Sequence, residues 1–399
     1  MAGQEAEIGA LGAIILLGIF GRLFLKKTGF SDILLLLLFG ALAGAVLPSS
    51  ALDGMDFLLL PLGAVALLMI ILDEGMHLPF SVLKKQLHKA LLFSLLSFSI
   101  SFIILFALSH YAFGQAAGVS LLIAAIFSSV APELLSGFLH ALGASETVRG
   151  IGEIEATLSD ALSVMAALLL ASSLSHGEGE LSLSSMPLEI AFTFALSAAC
   201  GAVFAAGWRF SMKRLAEDNE HLFAIGLAAI LYFFSGAIGA NGVVAVFVFG
   251  FFLGNVSHKS VEGMQRFQSE MTFFLRTFFF VYLGLLLFHS EKSLEVGLFA
   301  LAISILLALA RQLSGRVMSF VEPEAAKCRL LELVSCRGLT PAVLAVVVSE
   351  ELIVAGFPLP IDLPLLAMFV ILFTNLITAG MVFKSRGKLT FPSQEDGRL

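Results

Sequence analysis

Residues 150–170 read GIGEIEATLSDALSVMAALLL, and this stretch decides the fold because it sets a carboxylate inside an apolar helix. The ten residues that follow Asp160 carry no charge. An ionised carboxylate deep in a bilayer is costly, and it is retained where a cation, a proton or a basic partner compensates it. Asp160 therefore indicates a membrane protein that transports an ion.

The composition places the whole chain in a membrane. Of its 399 residues 58% are hydrophobic and only 13% are charged, which excludes an ordinary soluble domain. A stretch of about 17 to 25 apolar residues spans roughly 30 Å of hydrocarbon. Thirteen such stretches lie near residues 8–25, 30–48, 57–76, 90–113, 117–141, 147–174, 187–212, 221–239, 242–256, 271–289, 294–315, 328–349 and 360–383. We expect one all-α, polytopic transmembrane domain over residues 1–399.

Basic residues predict the orientation. All but Lys292 of those between the spans fall in alternate loops or in the tail 384–399. The positive-inside rule then puts the N-terminus outside and the C-terminal tail in the cytoplasm of a plasma-membrane protein. The first span lacks a basic n-region and a cleavage site, so it reads as a helix rather than a signal peptide. The three cysteines fit neither a disulfide framework nor a metal site, and no cofactor and no nucleic acid are expected.

Two spans carry a proline in their middle. The fifth reads SSVAP over residues 128–132, and the twelfth reads RGLTP over residues 337–341. Proline removes a helix hydrogen bond, so Pro132 and Pro341 predict breaks at membrane depth, which are tolerated where the backbone lines a cavity. Breaks at matching positions predict inverted repeats, from the fourth to the sixth and from the eleventh to the thirteenth span, with the binding site between the crossed breaks.

Four motifs, in order along nearly the whole chain, resemble those of the sodium/proton exchanger family, in its monovalent cation/proton antiporter branch. The branch's Glu-Ser-x-x-Asn-Asp pattern is similar to EATLSD at 155–160, and Gly-x-Arg-Gly-Ala is similar to SCRGL at 335–339. The segments DEGM at 73–76 and NGVVAVFVFG at 241–250 approximate two further motifs. The resemblance implies core helices at about 90–174 and 294–383, scaffold and dimerisation helices at about 8–76 and 187–289, and a homodimer in the lipid bilayer.

The chain also departs from the family pattern. Where the family usually has Thr-Asp-Pro, residues 130–132 read VAP, and Ser159 replaces the Asn before the key Asp. Glu133 after the break either compensates for the lost carboxylate or caps the following half-helix. The resemblance assigns Glu155 to a buried structural ion pair with Arg337, which a low dielectric demands of both charges.

The remaining polar groups suggest the ion site. Arg311 is predicted to balance carboxylates near the broken helices when the site is empty, with a snorkelling side chain as the alternative. Glu74 is a cation ligand by resemblance, with an interfacial acid as the alternative. Hard alkali cations prefer oxygen ligands. The predicted ligands, together with freed backbone carbonyls, are Asp160, Glu74, Ser128, Ser129, Thr157 and Ser159.

One titratable site shared by two ligands predicts antiport, because a proton and a cation compete for Asp160. With Ser at position 159 we expect electroneutral 1:1 exchange, with Na⁺ as the leading substrate and K⁺ or Li⁺ open. A channel and a degenerate, non-transporting antiporter-like protein are the other interpretations. No His-Glu-x-x-His or Gly-x-Ser-x-Gly pattern is present, so the sequence argues against an enzyme.

Overall fold

The structure of the chain is a computed structural model in which every described element is helical. It describes Gly9 and residues 12–21, 32–46, 56–77, 80–175, 186–212, 220–255, 259–286, 293–321 and 330–386. The predicted tail beyond Arg386 lies outside these residues, and so does the side chain of Glu133.

Fourteen α-helices lie in the described residues, and a π-helical turn, Leu108–Ala112, ends the fourth. They are α1 Gly12–Gly21, α2 Asp32–Val46, α3 Asp56–His77, α4 Phe80–Ala107, α5 Ala117–Phe127, α6 Pro132–Ala141, α7 Glu146–Ser175, α8 Met186–Met212, α9 Glu220–Ala237, α10 Gly242–Gly254, α11 Lys259–Leu286, α12 Ser293–Val321, α13 Leu339–Val354 and α14 Leu363–Arg386. Five of the described helices are by themselves long and apolar enough to cross a membrane.

Each predicted span contains helical residues that the structure describes, and α5 and α6 together form the fifth span. In lipid every backbone N–H and C=O must be bonded within the protein, and helices satisfy this requirement locally. An apolar stretch of sufficient length therefore specifies a helix whatever its neighbours are. The predicted all-α polytopic fold class is confirmed.

The two predicted breaks are present, and both prolines lie where the second half-helix begins. Residues 128–131 separate α5 from α6, and Pro132 is the first residue of α6. In the twelfth span residues 330–333 form a 3₁₀ turn, 334–338 are irregular, and Pro341 is the third residue of α13. The first turn of a helix has N–H groups without intrahelical partners, so proline is tolerated there.

The helices pack in two groups. The first joins α2 to α11 and α10 to both α3 and α8, whereas the second joins α12 to α14 and α4 to both α7 and α12. Helix α13 packs against α3 of one group and α7 of the other. The groups follow the predicted scaffold and core ranges, although that division into domains stays a prediction.

Glycines bring α3 and α10 into close contact beside Glu74. A Cβ at Gly75 would collide with the backbone oxygen of Phe247, and one at Gly254 would collide with that of Met76. A Cβ at Gly250 would lie only 2.6 Å from the backbone oxygen of Leu72. Small residues allow helix backbones to approach closely in membranes. These glycines hold the end of α3 in place and with it the backbone of Glu74.

Candidate functional site

Helix α7 carries two buried carboxylates that point to different neighbours. Glu155 is 0% exposed and Asp160 is 1% exposed. They are five residues apart, which turns their side chains by roughly 140° around the helix axis at about 100° per residue. Asp160 is the fifteenth of the thirty residues of α7, so it lies at the middle of the span.

Asp160 faces the junction of the two broken spans. Its Oδ2 accepts a hydrogen bond from Thr340 Oγ1 at 2.6 Å, and Thr340 is the second residue of α13. The side chains of Ser129 and Glu74 and the guanidinium of Arg337 are close enough to act on the Asp160 carboxyl group. Both Asp160 Oδ1 and Ser129 Oγ are buried, and neither has a hydrogen-bond partner among the described residues. The site therefore holds one bonded and one open carboxylate oxygen.

Hydrogen bonds fix the crossing of the broken spans. The N–H of Ala131 donates to the Cys336 oxygen at 3.2 Å, which joins one break directly to the other. Arg337 Nε donates to the oxygen of Phe127, the last residue of α5, at 2.8 Å. Asn375 Nδ2 donates to the Arg337 oxygen at 2.9 Å from α14. The irregular backbone thus finds partners inside the protein, as buried backbone groups require.

The second carboxylate, Glu155, is neutralised by Arg311. The guanidinium donates to both Glu155 oxygens, at 2.7 Å and 2.8 Å, in a bidentate ion pair. Arg311 also donates to Ser97 Oγ at 2.9 Å and to the Leu331 oxygen at 2.9 Å, and it lies 4.9 Å from the centre of the Phe93 ring. This buried arginine ties α12 to α4, to α7 and to the start of the twelfth span, so it does not snorkel.

The predicted ion pair between Glu155 and Arg337 is wrong, because Arg311 occupies that place. The Arg337 guanidinium instead donates to three backbone oxygens, those of Phe127, Ser335 and Cys336. The carbonyls at the end of a helix lack intrahelical donors and carry partial negative charge, so the end of α5 attracts this cation. The two arginines have exchanged their predicted roles: Arg311 holds the structural pair and Arg337 faces the breaks and Asp160.

Three predicted ligands use their hydroxyl groups for the backbone. Ser128 Oγ donates to the Ala124 oxygen at 2.6 Å, and Thr157 Oγ1 donates to the Glu153 oxygen at 2.8 Å. Ser159 Oγ donates to the Ala156 oxygen at 2.8 Å and accepts from the N–H of Val130 at 3.4 Å. Ser159 thereby supports the break in the fifth span. Of the predicted ligands, Asp160, Ser129 and Glu74 are brought together.

The site includes residues that the sequence did not single out. Thr340, Asn375 and Thr378 contact Asp160 or the broken twelfth span, and Ser163 Oγ on α7 donates to the Ala125 oxygen of α5 at 2.7 Å. Only Thr340 carried a signal, since it stands beside Pro341 in the predicted break. The others are single polar residues in apolar helices.

Two spans broken beside a buried carboxylate, in a helical membrane protein, define the fold class of the sodium/proton antiporters. The chain belongs to the sodium/hydrogen exchanger family, whose transmembrane family model matches residues 12–385. The fold is similar to that of the sodium proton antiporter MjNhaP1 from Methanocaldococcus jannaschii, with a TM-score of 0.79 and 21% identity over 96% of this chain and 99% of that one.

Curated relatives carry two kinds of name. The K(+)/H(+) antiporter NhaP2 of Shewanella sp. (strain ANA-3) is 26% identical over 365 residues, which are 88% of this chain and 61% of the relative. The chain thus spans about three fifths of the length of that relative. The Probable Na(+)/H(+) antiporter 2 of Methanocaldococcus jannaschii is 25% identical over 352 residues, which are 82% of this chain and 81% of the relative.

Proposed function

We propose that this protein exchanges a monovalent cation for a proton across the membrane, with Asp160 as the group that binds both. The observation that carries the proposal is the buried Asp160 Oδ1, which has no hydrogen-bond partner among the residues that the structure describes, although Ser129 Oγ and Glu74 lie near the carboxyl group. A buried polar atom without a partner is costly, and it is expected where a ligand completes the site. Membership of the sodium/hydrogen exchanger family supports the same activity.

Charge balance supports an electroneutral 1:1 exchange. Asp160 and Glu74 bring two negative charges to the site and Arg337 brings one positive charge. Two carboxylates that face each other do not both ionise without a compensating cation. One shared proton makes the three groups neutral in sum, and so does one bound alkali cation. The loaded site therefore has the same charge in both halves of the cycle.

Sodium is the proposed substrate, and potassium is the second candidate. Carboxylate and hydroxyl oxygens of Asp160, Glu74 and Ser129 suit any hard alkali cation. The name of the Methanocaldococcus jannaschii relative, Probable Na(+)/H(+) antiporter 2, favours sodium. The names of the Shewanella relatives, which are K(+)/H(+) antiporters, favour potassium.

We also propose where the protein lies and how it is oriented and assembled. The protein is a transporter rather than an enzyme, and it lies in the plasma membrane as a homodimer, with its N-terminus outside and its C-terminus in the cytoplasm. Basic residues in alternate loops support this orientation. The family resemblance supports the dimer.

Proteoliposomes with a trapped pH dye test the proposal. Purified protein is reconstituted with an acidic lumen, and NaCl, KCl or LiCl is added outside in turn. We expect sodium to make the lumen alkaline, with potassium or lithium weaker, and no response from empty liposomes. No response to any of the three cations contradicts exchange and favours a non-transporting protein. A conductance that rises linearly with voltage and exceeds carrier turnover contradicts it in favour of a channel.

A further inference from the structure

In the described part of the chain, a short side-chain hydrogen bond joins Thr340 to Asp160. Its Oγ1 lies 2.6 Å from Asp160 Oδ2, and the two residues are 3% and 1% exposed. A contact of this length is typical of a hydroxyl group donating to a charged carboxylate. The bond joins the middle of α7 to the first turn of α13, and therefore joins the proposed ion carrier to the broken twelfth span.

The hydroxyl group that bonds Asp160 Oδ2 comes from the twelfth span. At the break of the fifth span, only Ser128 and Ser129 carry hydroxyl groups. Val130 and Ala131, which lead into α6, have no polar side-chain atoms. Ser128 Oγ is bonded to its own helix, and Ser129 Oγ lies near the Asp160 carboxyl group but has no partner with hydrogen-bond geometry in the described part of the chain. Thr340 thus restrains the Asp160 carboxyl group directly through Oδ2.

A hydroxyl group is suited to hold a carboxyl group that changes its protonation state. It donates to Oδ2 of an ionised carboxylate, and it can still donate to Oδ2 as a carbonyl oxygen when the proton is bound at Oδ1, so the contact survives in both states. We propose that Thr340 is a positioning residue that keeps Asp160 Oδ2 in place, so that the open Oδ1 is the position at which proton and cation exchange. This inference rests on the proposed exchange activity, and it adds the atom at which exchange occurs and the residue that selects it.

The pH dependence of exchange should report on this bond. The charged and titratable groups that face Asp160 from the neighbouring elements are Glu74 on α3 and Arg337 before α13, and Glu155 on α7 is taken up by Arg311. A hydroxyl donor stabilises a charged carboxylate more than a neutral acid. Loss of the hydroxyl therefore favours the protonated site and makes the cation compete less well.

The test compares three variants in the proteoliposome assay. Thr340→Val removes the hydroxyl at nearly constant volume, and Thr340→Ser keeps it. Thr277→Val is the matched control, because Thr277 is 1% exposed and its Oγ1 donates only to the Phe273 oxygen of its own helix. For Thr340→Val we expect the pH of half-maximal exchange to rise by about one unit and the half-maximal sodium concentration to rise roughly tenfold. Thr340→Ser and Thr277→Val should stay within about twofold of the unmodified protein.

The outcomes separate this inference from the proposed function. Absence of exchange in the unmodified protein overturns the proposed function, and the inference falls with it. Exchange in the unmodified protein together with an unchanged pH profile and sodium dependence in Thr340→Val overturns the inference alone. If Thr340→Val does not fold, Thr340→Ala and Thr340→Ser are compared, and a serine variant as impaired as the alanine variant overturns the inference.

Discussion

The two buried carboxylates of α7 differ in how their negative charge is compensated. Glu155 accepts two hydrogen bonds from Arg311, which itself is bonded to Ser97 and to the Leu331 oxygen. Asp160 Oδ2 accepts a hydrogen bond from Thr340, and Oδ1 has no partner in the described part of the chain. Both residues are almost completely buried, in the same helix and about 7.5 Å apart along its axis at 1.5 Å per residue.

The comparison separates a structural charge from a functional one. A buried carboxylate that is fully paired has no capacity left for a ligand, and removing its partner leaves an uncompensated charge. A buried carboxylate with an open oxygen is costly in the empty protein, and the cost is recovered when a cation or a proton binds. Glu155 therefore has a structural role, and Asp160 is the residue that acts in the proposed exchange.

Replacing Asp160 by asparagine should have the largest effect on transport. The amide has nearly the same shape, but it neither releases a proton nor neutralises a cation. We expect Asp160→Asn to lower cation-driven proton movement at least 100-fold while the protein still folds and inserts. Transport is measured in proteoliposomes and folding by size-exclusion chromatography in detergent. Substantial exchange by this variant would remove Asp160 from its proposed role.

Breaking the Glu155–Arg311 pair should have the largest effect on stability. Glu155→Gln or Arg311→Met leaves one buried charge unpaired, at a cost of about 3 to 5 kcal/mol. Replacing both residues by leucine and methionine should restore much of the loss. The exposed pair of Arg266 and Glu270, 3.2 Å apart, is the control, and its loss should not measurably change the thermal midpoint. Single losses that simply add in the double variant would show that the two residues are not coupled.

Ser128 and Ser129 provide a matched pair that distinguishes a bonded from an open hydroxyl group. Ser129 Oγ lies buried and unbonded near Asp160, whereas Ser128 Oγ donates to the Ala124 oxygen. We expect Ser129→Ala to raise the half-maximal cation concentration several-fold, because a ligand oxygen is lost, and Ser128→Ala to change it less than twofold. Sodium titrations of both variants measure this. Equal effects would exclude Ser129 as a ligand.

The smallest expected effect concerns the support of the broken fifth span. Ser159→Ala removes the acceptor of the Val130 N–H, a bond of 3.4 Å, and a bond of this kind contributes about 0.5 to 1.5 kcal/mol. Thermal unfolding should show a loss in that range, and the half-maximal sodium concentration should stay the same. A strong change in cation dependence with unchanged stability would instead make Ser159 a ligand, as the sequence first indicated.

Much of the fold follows from the sequence because a bilayer makes local rules decisive. An apolar stretch must form a helix, so the spans around Asp160 were predictable from hydropathy alone. Pro132 and Pro341 gave the breaks for the same local reason, since each removes a backbone donor. The family resemblance then indicated Glu74 as a ligand beside Asp160, and the oxygen-rich break of the fifth span indicated Ser129.

The partners within the site were not predictable in the same way. Glu155 could pair with either Arg311 or Arg337, and the choice depends on how α12 and the twelfth span are rotated against α7. Arg311 and Arg337 are 26 residues apart, and nothing in their spacing fixes that rotation. Asn375 and Thr378 were missed because a lone polar residue in an apolar helix has no pattern of its own.

The proposed exchange of one proton for one cation at Asp160 and Glu74 is tested most directly by its response to voltage. Valinomycin and potassium gradients clamp the membrane potential of the proteoliposomes. The same sodium gradient and the same pH gradient are then applied at each of several potentials. Movement of a net charge across the membrane would couple exchange to the field by about 2.3 kcal/mol per 100 mV. We predict that the rate and direction of sodium/proton exchange do not change with the potential. Clear acceleration or reversal would contradict 1:1 exchange and would mean that a second proton is carried in each cycle.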